Sequence, residues 1–120
     1  VNRIVLFITI AMLPGLVSAD VTKIVGFASI SDGRKTVTSA GTAEAISASS
    51  DVCQELTIVA ETDNTGVMAV GGSTVVASLS TRRGVPLSSG DAVTLKLSDI
   101  KNVYVDSTVS GDGVTWLCLE

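Results

Sequence analysis

At 120 residues the chain has room for one domain with one modest core. Apolar residues make up 46% of it and aromatics only 3%, so that core must be built from Val, Ile, Leu and Ala, and the composition argues against a disordered chain. Eight basic against twelve acidic residues leave a net charge of −4, which argues against a nucleic-acid partner, and the absence of histidine removes Ser-His-Asp catalysis, Cys-His catalysis and every His-containing zinc site.

Residues 1–19 differ in composition from the rest. Arg3 is their sole charged side chain, an apolar run fills residues 4–13, Pro14-Gly15 breaks it, and Val17-Ser18-Ala19 precedes Asp20. This is the layout of a secretory signal peptide, and the run is too short for a comfortable membrane-spanning helix. Its Val, Ile and Thr content suits a retained extended arm, buried against another subunit, about as well. Both readings stand, with the folded domain expected over residues 20–120.

From Asp20 onward the chain is a succession of short β-like runs. Residues 24–30 read as a strand that ends at the turn signal Ser31-Asp32-Gly33. Residues 35–39 alternate as a half-exposed strand does, 43–48 are a weaker segment, and Ser49-Ser50-Asp51 reads as a loop. The clearest strand covers residues 53–61, with Leu56, Ile58 and Ala60 on one face and Thr57, Val59 and Glu61 on the other. Asp63-Asn64-Thr65-Gly66 is expected to turn tightly, with Gly66 at positive φ, and to return into a strand at 67–70. Gly71-Gly72-Ser73 breaks that strand and residues 74–79 resume it. Arg82-Arg83-Gly84 and Pro86 mark a longer connection, followed by a turn at Ser88-Ser89-Gly90-Asp91. Residues 92–97 alternate again, with Val93, Leu95 and Leu97 inward. Val103-Tyr104-Val105 is apolar on both faces, as in a central strand or one covered by a partner. Ser110-Gly111-Asp112-Gly113 forms the last turn, and residues 114–119 close the chain with Trp116 and Cys118 on one face, Leu117 and Leu119 on the other.

Seven or eight short strands at roughly ten-residue spacing, without a helical period, predict an all-β fold. The expected architecture is a single small antiparallel β-sandwich or jelly roll with an apolar N-terminal extension. Its expected core is Leu56, Ile58, Val93, Leu95, Leu97, Val103, Val105 and Trp116. Its structural turns are expected at Gly66, Gly71, Gly72, Gly84, Gly90, Gly111 and Gly113.

Each motif with a chemical reading has a plainer one that fits better. Gly111-Asp112-Gly113 with Asp106 nearby suggests a calcium loop, but it lacks the alternating acids and terminal Glu of an EF-hand, and Asp-Gly is ordinary turn chemistry. Glu61 and Asp63 suggest a glycosidase pair, and read better as solvated turn acids. Gly71-Gly72-Ser73-Thr74 lacks the Lys and following helix of a phosphate loop, so a bulge or turn is the default. Tyr104 and Trp116 suggest a sugar-stacking platform, yet aromatics are so scarce here that core packing takes precedence. The basic pairs Arg34-Lys35 and Arg82-Arg83 read as solvated turns. Cys53 and Cys118 form one disulfide if the chain is exported and their strands are neighbours; otherwise they are two buried free thiols. No catalytic residue, cofactor, metal or small-molecule substrate is expected.

An ordered series of motifs covers about three-quarters of the chain. It runs from Lys35-Thr36-Val37-Thr38 through Gly41-Thr42-Ala43, Cys53 and Leu56-Thr57-Ile58 to Thr62-Asp63-Asn64-Thr65-Gly66 and Val70-Gly71-Gly72-Ser73. It continues with Arg83-Gly84-Val85-Pro86-Leu87, Gly90-Asp91, Ser98-Asp99-Ile100, Val103-Tyr104-Val105-Asp106 and Gly111-Asp112-Gly113-Val114. In this order the series resembles a group of small bacteriophage virion structural proteins, and residues 1–31 are its departure from them. The resemblance implies a β-sandwich module and a capsid decoration or cement role, or a place in the neck, tail or fibres. It implies the major capsid protein or other virion proteins as partners, a homo-oligomer with a trimer favoured, and the virion surface as location. If residues 1–19 are a cleaved signal, the alternative is a secreted or periplasmic carbohydrate- or surface-binding module.

Overall fold

A computed structural model describes Gly26 and residues 29–120, and the reading of residues 1–19 and most of the strand expected over 24–30 lie outside the described residues. Among the described residues eight strands follow one another: β1 (Ile30–Thr36), β2 (Glu44–Ala45), β3 (Glu55–Ala60), β4 (Met68–Gly71), β5 (Val85–Leu87), β6 (Ala92–Lys96), β7 (Tyr104–Ser107) and β8 (Gly113–Leu119). Two single 3₁₀ turns, at Leu79–Thr81 and Ile100–Asn102, are the only helical elements among the described residues. The strands form two antiparallel four-stranded sheets, sheet I in the order β1-β8-β3-β6 and sheet II in the order β2-β7-β4-β5.

One core joins the sheets. Alternation in β3 buries Leu56, Ile58 and Ala60, and Val114 and Cys118 of β8 lie beside them. Sheet II contributes Met68 and Val70 from β4, Leu87 from β5 and Val105 from β7, with Val103 just before β7. Four of the eight expected core residues are therefore buried: Leu56, Ile58, Val103 and Val105. Val93, Leu95, Leu97 and Trp116 pack against the same cluster but stay half-buried. For the first two the reason is position, because β6 is the edge strand of sheet I and its inward side chains have a neighbour on one side only.

Several local expectations are corrected. Ser31-Asp32-Gly33 is no turn: β1 runs straight through it, paired residue by residue with Cys118, Leu117 and Trp116. Gly33 is needed there for space, since a Cβ would stand 2.3 Å from the Trp116 ring. The indole of β8 thus lies across the glycine of the edge strand and covers it. Residues 74–79 alternate as expected, with Val75 and Ala77 buried, yet they form no strand; only Val76 makes a bridge, to Arg83. The strand lies instead in the connection around Pro86, where β5 is the edge of sheet II and a residue without an N–H is tolerated.

The segment between β3 and β4 is not a hairpin, because its two strands belong to different sheets. Gly66 accordingly has no positive φ; Gly41, Gly84, Gly90 and Gly111 do. Gly66 is required by close approach, as a Cβ would lie 2.3 Å from the Thr108 hydroxyl and 2.8 Å from Val109. Gly71 ends β4 and Gly113 opens β8, so these two expected turn residues are strand residues. Gly72 lies in the bend after β4, where a Cβ would meet nothing.

Candidate functional site

The carboxylates that looked chemically suggestive are engaged in holding loops. Asp106 of β7 is fully buried. Its Oδ1 accepts the Gly41 N–H and its Oδ2 the Ala77 N–H, each at 2.8 Å. One side chain thereby fastens both the β1–β2 loop and the long excursion between β4 and β5. Asp112 accepts from Thr65 N–H at 3.1 Å and Gly66 N–H at 2.7 Å, tying the β3–β4 loop to the β7–β8 turn. Asn64 completes that clasp, donating to the Gly113 carbonyl and accepting from the Gly113 N–H at 2.8 Å each. Asp106 and Asp112 are thus two separate loop anchors rather than one calcium loop, and among the described residues no cluster of acidic or sulfur ligands is arranged for a metal.

Glu61, Glu44 and Asp99 are engaged as well. Glu61 accepts from Arg34 Nε at 2.7 Å, while Asp63 is exposed at the turn beyond it. Lys35 pairs with Glu44 at 2.8 Å, and Glu44 also accepts from Thr38 and Ser39 N–H and the Thr38 hydroxyl. Burial opposes ionisation of Glu44, but the Lys35 ammonium and these donors outweigh it and hold its pKa at about 2. Asp99 accepts from the Ser50 hydroxyl and from the Lys101 and Asp51 N–H groups, which hold its carboxyl below the usual range. Arg82 donates to the Ala77 carbonyl at 2.9 Å. Three of the four paired basic residues are thus anchors too, and the fourth, Arg83, supplies the backbone bridge to Val76.

Cys53 and Cys118 are joined as a disulfide, with Cα atoms 5.7 Å apart. The bond links the entry to β3 with the end of its sheet neighbour β8, and it replaces the expected alternative of two free thiols. Tyr104 and Trp116 do not meet as a platform. Trp116 lies on the inward side of sheet I over Gly33, and Tyr104 packs on the outside of sheet II with Ala43, Ala69, Val75 and Ala77.

That second cluster exposes a difference between the two outer faces. Sheet II is covered by its own chain, because residues 72–84 fold back over β4 and β7 and bury Val75 and Ala77 there. Sheet I has no such cover from the described residues. Its outward side chains form three cross-strand rows: Ile30, Leu119, Glu55 and Lys96; then Asp32, Leu117, Thr57 and Thr94; then Arg34, Thr115, Val59 and Ala92. Ile30 is 66% exposed and Leu117 43%. The Thr57 and Thr94 hydroxyls are 3.0 Å apart and hydrogen-bond each other. The charges are confined to the two edge strands and to Glu55, and Lys96 pairs with Glu55 at 3.3 Å. The result is a pleated surface with a threonine and aliphatic centre and a largely neutralised rim. Sequence alternation pointed to Leu117 and Leu119 on one face, but Ile30 joins them only because β1 passes through the expected turn.

Comparison with protein-family models, curated proteins and solved structures finds no match to this chain.

Proposed function

We propose that this chain is a non-enzymatic bacteriophage virion structural protein, a capsid decoration or cement module built on an eight-stranded jelly roll. The jelly-roll reading rests on strand order. The pairs β1/β8, β2/β7, β3/β6 and β4/β5 alternate between the sheets, as when one long four-plus-four hairpin is rolled up. Double-sheet jelly rolls of this kind occur in viral capsid and lectin domains, and fold alone does not choose between these.

The observation that carries the assembly reading is the asymmetry of the faces. A chain that folds a thirteen-residue excursion over one sheet leaves the other with Ile30, Leu117 and Leu119 outward. Apolar positions grouped on one flat face mark a surface that meets a partner. On a particle the partners are the major capsid protein or other virion proteins, with the subunit a symmetric homo-oligomer, a trimer by preference. Many identical contacts then hold through avidity even where each is modest. A place in the neck, tail or fibres uses the same surface. Quantitative mass spectrometry of purified particles is the test. Many copies of this chain per particle are expected, and its absence from washed particles refutes the reading.

The disulfide favours a second reading, an exported carbohydrate- or surface-binding module, since such bonds persist in oxidising compartments. An intact mass that begins at Asp20 and is two hydrogens below the reduced value supports export. A retained, reduced full-length chain refutes it.

A further inference from the structure

The uncovered face of sheet I calls for an occupant, and the chain carries a suitable one directly upstream of β1. Ser29 and Glu120 exchange both backbone hydrogen bonds, at 3.1 and 2.9 Å, so the β1–β8 ladder continues to the last residue of the chain. Ser29 is thus still held in the ladder at the end of sheet I, and no residue lies between it and residue 28 to turn a docked 21–28 segment back onto its own copy. Residues 21–28 read Val-Thr-Lys-Ile-Val-Gly-Phe-Ala and are present whether or not residues 1–19 are removed. Eight extended residues reach ~26 Å, whereas four strands span a face only ~15 Å wide. Val25 and Phe27, two apart and so on one side of an extended segment, offer the aliphatic and aromatic contact that Ile30, Leu117, Leu119 and Val59 lack.

Charge agrees with this match. Lys23 is the sole cation between positions 4 and 33. On the face of sheet I, Lys96 is paired with Glu55 and Arg34 with Glu61, while Asp32 has no ion-pair partner among the described residues. We infer that residues 21–28 of one copy dock across the outer face of sheet I of a second copy, with Lys23, Val25 and Phe27 on the docked side, Lys23 at Asp32 and Val25 beside Leu117. The contact is head-to-tail, so it propagates from copy to copy and closes into a ring when the rotation permits. The inference rests on the assembly reading above and names the partner of that face.

The test uses the full chain with Leu117 replaced by photoreactive benzoylphenylalanine, mixed from isotope-labelled and unlabelled preparations. Fragmentation should place the cross-link within residues 24–28 of the opposite isotope. In sedimentation of the chain without the photoreactive residue, Lys23→Asp should weaken association about tenfold, equivalent to one favourable charge contact, and adding Asp32→Lys should restore it. Cross-links confined to one copy, or joining two outer faces, overturn this inference and leave assembly standing. A chain that remains monomeric at all concentrations overturns both.

Discussion

Reducing the Cys53–Cys118 bond isolates one contribution to stability without altering a side chain's volume, and its size follows from chain length. The cysteines are 65 residues apart and both are buried. Cross-linking a loop of that length removes about 14–15 cal/mol/K of entropy from the unfolded ensemble, which is about 4 kcal/mol at 25 °C. Small domains have only about 5–15 kcal/mol in total, so the reduced protein should fold but stand close to its limit. Urea titration followed by tryptophan emission, with and without a phosphine reductant, reads the difference. With a slope of ~1–1.5 kcal/mol/M, the midpoint should fall by roughly 3 M. The slope itself should rise on reduction, because an uncross-linked unfolded chain exposes more surface. A midpoint shift below ~0.5 M with an unchanged slope would refute the argument. It would mean that the unfolded chain already holds residues 53 and 118 together.

Three further outcomes are expected. Glu44 has a folded pKa of about 2 against 4.5 for the free side chain, so its contribution, about 1 kcal/mol once solvent screening is allowed for, is complete above pH 4.5 and lost as pH falls toward 2; Glu44→Gln should flatten the acid limb of a stability-against-pH curve, and an unchanged limb would remove Glu44 as its cause. Asp106→Asn leaves one acceptor facing two backbone donors, and should cost roughly 1–3 kcal/mol while raising hydrogen exchange at Gly41 and Ala77 together; exchange that rises at only one of them would show that the two loops are not fastened by one side chain. Gly33→Val should lower stability by about 1–3 kcal/mol and shift the emission of the lone Trp116 to the red, whereas Gly72→Ala, with nothing within 4 Å of its Cβ, should change neither.

The all-β class was legible because alternation is a local signal. Leu56, Ile58 and Ala60 declare the buried side of β3 without reference to any other strand, and Cys118 declares that of β8. What was not legible depends on contacts distant in sequence. Ser31-Asp32-Gly33 has the composition of a turn, and only a tryptophan more than eighty residues away makes Gly33 a strand residue. Residues 74–79 have the alternation of a strand, but their backbone lies over sheet II instead of within it. Asp106 looked like part of a polar loop; its role depends on Gly41 and Ala77 arriving from two other segments. Disulfide pairing was undecidable for the same reason, since β3 and β8 become neighbours only through the strand order.

The loop carboxylates and the bare face of sheet I are two consequences of one topology. Every connection but β4–β5 passes from one sheet to the other, so the ends of the domain are crowded with irregular backbone whose N–H groups need acceptors. Asp99, Asp106, Asp112 and Glu44 supply them, which gathers polar function at the ends and in the β4–β5 excursion. The middle of sheet I has no such demand, because β8 and β3 have strand partners on both sides. Its outward positions are then free to take residues suited to contact. Threonine there serves both states of an assembling surface: its hydroxyl meets water while the face is open. In the Thr57–Thr94 pair each hydroxyl retains its neighbour when water leaves, so covering this face costs less than covering isolated polar groups.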